Sequence, residues 1–146
     1  MTFDEMFSIA NISSSGLAAE RYRMEVIANN IANAYTTRMP SGGPYRRLDV
    51  VFEAVMNQVG KGVRNLAKPG GVRVVGLAED PSEMPRIYNP AHPHADSSGF
   101  VTMPNVSLPM EMINLITSTR AYEANLKVLQ SFKQMVEQSL SILRQA

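Results

Sequence analysis

All nine prolines and eight of the nine glycines lie between Pro40 and Pro109, so the two ends of this 146-residue chain almost lack helix-breaking residues. Proline removes a backbone N–H, and glycine loses the most conformational entropy when it is ordered, so both disfavour a helix interior. The ends can therefore form long uninterrupted helices, whereas the middle must be built from turns, loops and strands. This distribution predicts two terminal helices that flank a separate non-helical segment.

Residues 2–35 predict the first helix. Thr2-Phe3-Asp4-Glu5 has the spacing of a capping box, and apolar or small residues then recur every three or four positions. These residues are Met6, Ala10, Ser13, Leu17, Met24, Ile27, Ile31 and Ala34. The helix is expected to end near Tyr35, because two threonines and the run Pro40-Ser41-Gly42-Gly43-Pro44 follow it.

Residues 107–144 predict the second helix, with Ser107 as its N-cap and Glu111 at the positive end of its dipole. Its apolar side forms two adjoining stripes. The first stripe consists of Leu115, Thr119, Tyr122, Leu126, Leu129, Phe132, Val136, Leu140 and Leu143, and the second of Met112, Ile116, Ala124, Val128 and Met135. One helix of the same chain cannot cover both stripes, so this helix predicts contacts with other chains.

The middle segment, residues 38–106, predicts β structure and loops. Strands are expected within Tyr45–Val55, at Val72–Leu77 and at Pro85–Tyr88, although a short helical turn at Glu53–Val59 is an open alternative. A mobile loop is predicted at Val59–Gly71. Two further segments predict non-regular structure: an ordered loop at Asn89–Asn105, and turns rather than phosphate loops at Gly42-Gly43 and Gly70-Gly71.

The predicted fold class is therefore mainly α, with long N- and C-terminal helices paired as a coiled-coil-like core and a small β- and loop-rich middle segment. The corresponding division of the chain is an N-terminal helical segment at 1–37, a middle segment at 38–106 and a C-terminal helical segment at 107–146.

Composition excludes several classes of function. The net charge is +1 without a block of like charge, which argues against nucleic-acid or anionic-membrane binding; short pairs such as Arg46-Arg47 are interpreted as solvated. The absence of cysteine excludes disulfides, cysteine-based zinc sites and thiol catalysis. No run of 18 apolar residues predicts a membrane span. Met1–Ser15 lacks the features of a secretory signal, so any export is expected to proceed without signal cleavage.

Two polar groups are candidate sites. His92, His94 and Asp96 form the one cluster with metal-binding residue types, but no third strong ligand is evident beside the two histidines. The preferred interpretation is that these residues hold the backbone of a loop. A small metalloenzyme using the His92/His94 loop is the less favoured alternative. No constellation predicts catalysis or a bound cofactor.

The asparagines of the first helix form the second group. Asn29, Asn30 and Asn33 lie within one and a half helical turns, and asparagine is a mediocre helix former. They either terminate the helix or fix its register by hydrogen bonds to neighbouring backbone, as a buried asparagine does in coiled coils. From the residues alone the two interpretations are equally favoured.

The run Ile27-Ala28-Asn29-Asn30-Ile31-Ala32-Asn33-Ala34, preceded by Ser15–Arg21, resembles the N-terminal signature of bacterial flagellar axial proteins, the family of rod, hook and hook-associated subunits. Three downstream runs are similar to its proximal rod members: Asn89–Asp96, Gly99–Val101 and Met103–Val106. The terminal helix from Met110 to Lys133 is similar as well. The family-motif residues are Asn29, Asn30, Asn33, Asn89, Pro90, His92, Pro93, Asp96, Gly99, Pro104 and Asn105.

The resemblance implies a structural, non-enzymatic subunit of the basal-body rod, the torque-transmitting drive shaft that crosses the periplasm. It implies export through the flagellar type III apparatus and assembly with copies of itself and other rod proteins. Nucleic acid, a small-molecule substrate, a metal and a cofactor are not expected. A cytoplasmic helical coiled-coil adaptor is the alternative from another class.

In this interpretation the terminal helices join subunits, and they are expected to be partly disordered in the free monomer. The side chains expected to pack between subunits are Met6, Leu17, Met24, Ile27, Ile31, Leu115, Ile116, Tyr122, Leu126, Leu129, Phe132 and Val136. Asn29, Asn30 and Asn33 are expected to set the register of assembly.

Overall fold

The computed structural model describes residues 3–59 and 66–145, with side chains at 8–56 and 69–142. Its helices are α1 at Phe3–Ala32 and α2 at Leu108–Gln145. Its strands are β1 at Leu48–Val59, β2 at Leu66–Glu79, β3 at Arg86–Tyr88 and β4 at Phe100–Thr102. Strands β1 and β2 form one two-stranded sheet, and β3 and β4 form another. The prediction of two terminal helices around a small β-containing middle is confirmed, while their coiled-coil pairing stays a prediction. The predicted capping box and the packing of Met6 and Leu143 lie outside the described side chains.

Helix α1 ends where the sequence indicates. Asn33 closes the last turn, because both its backbone N–H (3.1 Å) and its side-chain Nδ2 (3.0 Å) donate to the carbonyl of Asn29. The chain then reverses through a turn in which the Met39 N–H donates to the Gly43 carbonyl at 2.7 Å. Gly42 and Gly43 both have positive φ angles, a backbone conformation that disfavours other residues.

Three predictions for the middle segment are wrong, and one open alternative is excluded. Of the predicted loop at Val59–Gly71, residues 66–71 belong to β2, and 60–65 lie outside the described residues. Gly70-Gly71 is therefore not a turn, and the alternative of a helical turn at Glu53–Val59 is excluded because these residues belong to β1. Pairing between the two strands overrides the weak strand preference of lysine, proline and glycine. Inside the predicted loop at Asn89–Asn105, β4 pairs antiparallel with β3, with Ile87 opposite Val101. A three-residue strand is too short to produce a clear alternating pattern.

Residue contacts divide the chain into two compact units. The first contains residues 1–22, 52–75 and 118–146, and the second contains 23–51 and 76–117. Among the described residues, neither helix has a segment apolar enough, over a sufficient length, to span a lipid bilayer.

Close backbone approaches hold the first unit together. The Ser15 hydroxyl donates to the Ile12 carbonyl at 2.7 Å and accepts from the Val72 N–H at 3.1 Å, which joins α1 to β2. Ser118 of α2 is fully buried, and its hydroxyl donates to the Glu20 carboxylate at 2.5 Å. These contacts use small residues, so helices and sheet meet at short range.

Gly71→Ala is expected to lower the free energy of unfolding by about 2–4 kcal/mol. Gly71 has a φ of +117°, and an added Cβ would overlap the Ser15 hydroxyl and lie 3.6 Å from the Ile12 Cα. The clash would separate β2 from α1. Gly76→Ala is the control, because Gly76 has no atom within 4 Å of an added Cβ. Guanidinium unfolding followed by circular dichroism measures both variants, and equal midpoints for the two would contradict this packing.

Candidate functional site

The second unit contains a buried polar network centred on Asn30. The Asn30 side chain is 1% exposed. Its Nδ2 donates to the Leu48 carbonyl at 2.8 Å and to Glu111 Oε2 at 3.1 Å. Its Oδ1 accepts from the Tyr45 hydroxyl at 2.8 Å and from the Leu48 N–H at 3.0 Å. Both donors and both acceptor positions of the amide are therefore used within the chain.

Glu111 continues this network from the first turn of α2. Its side chain is 1% exposed, and Oε1 accepts from Arg47 Nε at 2.8 Å and from Asn114 Nδ2 at 3.3 Å. A buried carboxylate needs a paired charge and further hydrogen bonds to offset its loss of hydration. Arg47 supplies the charge, and the Asn30 and Asn114 amides supply the additional donors.

Arg47 extends the network towards the two loops that follow β2 and β4. Its guanidinium NH1 donates to Asp49 at 2.9 Å and to Asp80 at 3.4 Å. Its backbone N–H donates to Asn105 Oδ1 at 2.8 Å, and its carbonyl accepts from the Asp80 N–H at 2.9 Å. Asn105 Nδ2 in turn donates to the Ser82 hydroxyl at 2.9 Å. One arginine thus joins α2, the start of β1 and both loops.

The network shifts three pKa values. Burial alone would lower the pKa of Arg47, but hydrogen bonds and charges from Glu111 and Asp49 outweigh it and raise that pKa. Burial, and then the negative charge of Glu111, raise the pKa of the Tyr45 hydroxyl. Hydrogen bonds from Ser82, and then the Arg47 charge, lower the pKa of Asp80. The arginine and the aspartate therefore remain charged at neutral pH, and the tyrosine remains neutral.

The structure places the three sequence-predicted asparagines in different environments. Asn30 is buried in the network, Asn33 is half-buried and closes α1, and Asn29 is exposed. Within the described residues, Asn30 hydrogen-bonds other segments of the chain, whereas Asn33 bonds Asn29 and Thr36 close in sequence. Termination of the helix thus fits Asn33, whereas hydrogen bonding to a neighbouring backbone fits Asn30.

Sequence reasoning missed Arg47 and the burial of Glu111. Arg47 was expected to be solvated, yet its side chain is 16% exposed and pairs with a carboxylate 64 positions along the chain. Glu111 was expected only to face the helix dipole. A charge pair so far apart in sequence leaves no periodic signal, so only the fold brings these residues together.

The motif between β3 and β4 is organised by Asp96. Its Oδ1 accepts from the N–H groups of Ser98 and Phe100, both at 2.9 Å, and its Oδ2 pairs with Arg86. Gly99 has a φ of +80°, and a Cβ there would lie 2.9 Å from the Tyr88 ring. The predicted role of these polar residues, which is to hold the backbone of a loop, agrees with these contacts.

The two histidines lie in the same loop. His92 Nδ1 accepts from the His94 N–H at 3.1 Å, and His94 Nδ1 is 2.8 Å from the Thr37 hydroxyl. Their rings are 5.4 Å apart. In the part of the chain that the structure describes, no group of three or more histidine, cysteine or acidic residues is placed to hold a metal ion.

Hydrogen bonds from Phe100 and Ser98, together with the Arg86 charge, lower the pKa of Asp96. A carboxylate with a lowered pKa stabilises the folded state above its ordinary pKa and loses that contribution as the pH falls through the folded value. We therefore expect the amide resonances of Ser98 and Phe100 to titrate below the ordinary aspartate pKa of about 3.9. Nuclear magnetic resonance measures this transition. It should vanish in Asp96→Asn and persist in the exposed control Glu83→Gln, and a midpoint at or above about 3.9 would contradict this account.

The two apolar stripes of α2 differ in exposure. In the first stripe, Leu115, Thr119, Tyr122, Leu129, Phe132 and Val136 are half-buried, while Leu126 and Leu140 are exposed. In the second stripe all five residues are exposed: Met112, Ile116, Ala124, Val128 and Met135. On helix α1, Ile27 is buried, and Leu17, Met24 and Ile31 are half-buried. The chain covers most of one stripe and leaves the other to solvent.

A second apolar surface lies in the first unit, between α1 and β2. It is a groove of about 410 Å³ lined by Ser15, Ala18, Ala19, Tyr22, Val72, Arg73 and Val74. Small side chains on α1 leave this space open. An exposed apolar stripe and an apolar groove are typical of surfaces that contact other proteins, and neither carries groups arranged for catalysis.

Comparison with known proteins identifies two family models along the chain. "Flagella basal body rod protein" matches residues 10–38, and "Flagellar basal body rod FlgEFG protein C-terminal" matches residues 97–142. The chain is similar to the flagellar basal-body rod protein FlgC of Borreliella burgdorferi, with 44% identity over 95% of this chain and 98% of the relative. The FlgC proteins of Yersinia enterocolitica and Salmonella typhimurium are 38% and 37% identical, each over 94% of this chain and 97% of the relative.

Proposed function

The chain belongs to the FlgC family of flagellar basal-body rod proteins, and we propose that it joins the rod through the exposed faces of its two terminal helices. It is a structural subunit of the rod and not an enzyme, it localises to the flagellar basal body, and it assembles with other flagellar rod proteins. We propose further that the chain lies in the proximal rod and that copies of it contact one another there. We also propose that it is exported through the type III apparatus without signal cleavage.

The exposed second stripe of α2 is the observation that carries the proposal. Met112, Ile116 and Met135 each leave more than half of their surface in solvent, which is costly for apolar side chains. Burial of apolar surface contributes roughly 25 cal/mol per Å². A stripe that runs along a 38-residue helix therefore supplies a large driving force once a neighbouring subunit covers it.

A shaft also needs an interface that does not close on itself. In an open assembly each subunit offers one surface to the neighbour ahead and a different surface to the neighbour behind. We propose that the second stripe of α2 is one such surface and that the groove beside α1 belongs to the other. Two different surfaces on one chain permit continued addition, whereas a single self-complementary surface produces a closed dimer.

The asparagines enter this proposal at two levels. Asn30 holds the end of α1 against the start of β1 and the first turn of α2, so it sets the geometry of the subunit that is presented to its neighbours. Asn29 lies beside it on the exposed side of α1. We propose that Asn29 contributes to register between subunits, while Asn30 and Asn33 contribute from within the chain.

We propose further that the helix ends are partly disordered in the free monomer. Ordering a residue costs about 1–2 kcal/mol of backbone entropy, and an uncovered stripe recovers little of it. The expected result is a far-ultraviolet circular dichroism signal whose helical content rises as the rod assembles. A compact, fully helical monomer at low concentration would contradict this proposal.

Electron microscopy of basal bodies from a strain that lacks this chain tests the function itself. The expected result is basal bodies without a rod, and normal rods after the wild-type chain is restored. A deletion strain with complete rods and normal motility would refute a structural role in the rod.

A further inference from the structure

Helix α2 carries three exposed methionines. Met110, Met112 and Met135 leave 55%, 59% and 56% of their surface in solvent. Met56 of β1 is also exposed, at 60%, and four other methionines are half-buried: Met24, Met39, Met84 and Met103. The chain has ten methionines and no cysteine, so thioethers are its only sulfur groups. Oxidants that attack sulfur therefore meet the exposed methionines first, and two of these, Met112 and Met135, belong to the second stripe.

We propose that Met112 and Met135 are oxidation sites at which peroxides block entry of the free subunit into the rod, an inference that rests on the proposed function. The thioether sulfur attacks a peroxide oxygen, so that an S–O bond forms while the O–O bond breaks. With hydrogen peroxide, the products are methionine sulfoxide and water. Methionine sulfoxide reductases reverse this oxidation. The accessible state is the subunit before assembly, because assembly covers the stripe.

The consequence follows from the change in polarity. A sulfoxide is polar and hydrated, and the second stripe offers it mainly apolar neighbours, so burial in an interface removes its water without replacing it. The expected effect is a weakening of assembly by about tenfold or more for each oxidised site. The subunit fold is unaffected, because both side chains are already exposed in it.

Oxidation mapping tests whether the exposed methionines react first. The purified chain is treated with hydrogen peroxide, and mass spectrometry follows each methionine over time. The exposed Met56, Met110, Met112 and Met135 are expected to react before the half-buried Met24 and Met103, with an unchanged circular dichroism spectrum. Equal rates at the exposed and half-buried methionines would overturn the proposal.

The predicted loss of assembly is tested in a strain that lacks methionine sulfoxide reductases and its own copy of this chain, and that receives the wild-type chain or a variant. Under peroxide, cells with the wild-type chain are expected to lose rods, and Met112→Leu/Met135→Leu is expected to restore them because leucine stays apolar. The matched control Met39→Leu/Met84→Leu, at two half-buried methionines outside the stripe, is expected to give no protection. If untreated cells build rods but the Met112→Leu/Met135→Leu variant does not preserve them under peroxide, this inference alone is overturned. If untreated cells that carry the wild-type chain build no rods, the proposed function is overturned as well.

Discussion

Asn30→Leu is expected to lower the free energy of unfolding by about 3–5 kcal/mol. Leucine has a similar volume but can neither donate nor accept a hydrogen bond. The substitution leaves the Tyr45 hydroxyl, both backbone groups of Leu48 and one oxygen of Glu111 without their partner in a buried site. Each such group costs about 1–3 kcal/mol, which makes this one of the most damaging single changes available in the chain.

Asn29→Leu is the matched control for this prediction. Asn29 precedes Asn30 on the same helix and is exposed, so its replacement is expected to change the unfolding free energy by about 0.5 kcal/mol or less. Guanidinium unfolding compares the two variants, and hydrogen exchange at the Leu48 amide reports the network directly. Equal stability of the two variants, with unchanged exchange at Leu48, would show that the network contributes nothing.

The double variant Val128→Asp/Met135→Asp is expected to abolish rod assembly and motility while the subunit stays folded. Both side chains are exposed, so two carboxylates on this face cost the monomer little. In an interface, each carboxylate would be buried without a partner, and burial of unpaired charges strongly opposes assembly. Electron microscopy of basal bodies and a swimming assay measure the loss.

Gln130→Asp/Gln134→Asp provides the control for that variant. It adds the same two charges to the exposed surface of the same helix, close in sequence but on a different side of the helix from Val128 and Met135. It is expected to keep at least part of the motility that the stripe variant loses. Normal rods from the stripe variant, or an equal loss in both, would contradict the assignment of this face.

The sequence predicts the helical ends well because their signal is local. The absence of proline and glycine between Ala19 and Met39, and the recurrence of apolar residues every three or four positions, locate α1 closely. In α2 the same periodicity separates a stripe that the chain mostly covers from one that it leaves exposed. The double stripe was therefore visible before any contact was known.

The middle segment and the network depend on long-range contacts. Residues 66–71 contain lysine, proline and two glycines, and they form a strand because β1 pairs with them. Asn30 meets Glu111 across 81 positions, and no short-range pattern marks that pair. The sequence placed Asn30 in a group of three candidates, but only the fold distinguishes the buried asparagine from the exposed Asn29 and the helix-closing Asn33.

Maleimide labelling of Met135→Cys tests the central claim, namely that the exposed face of α2 becomes an interface in the rod. The chain has no cysteine of its own, so a single introduced thiol reports one position. The thiol is expected to react readily in the free subunit and to be protected in purified basal bodies. Equal labelling in the free subunit and in the rod would contradict the account, because the face would then remain open to solvent after assembly.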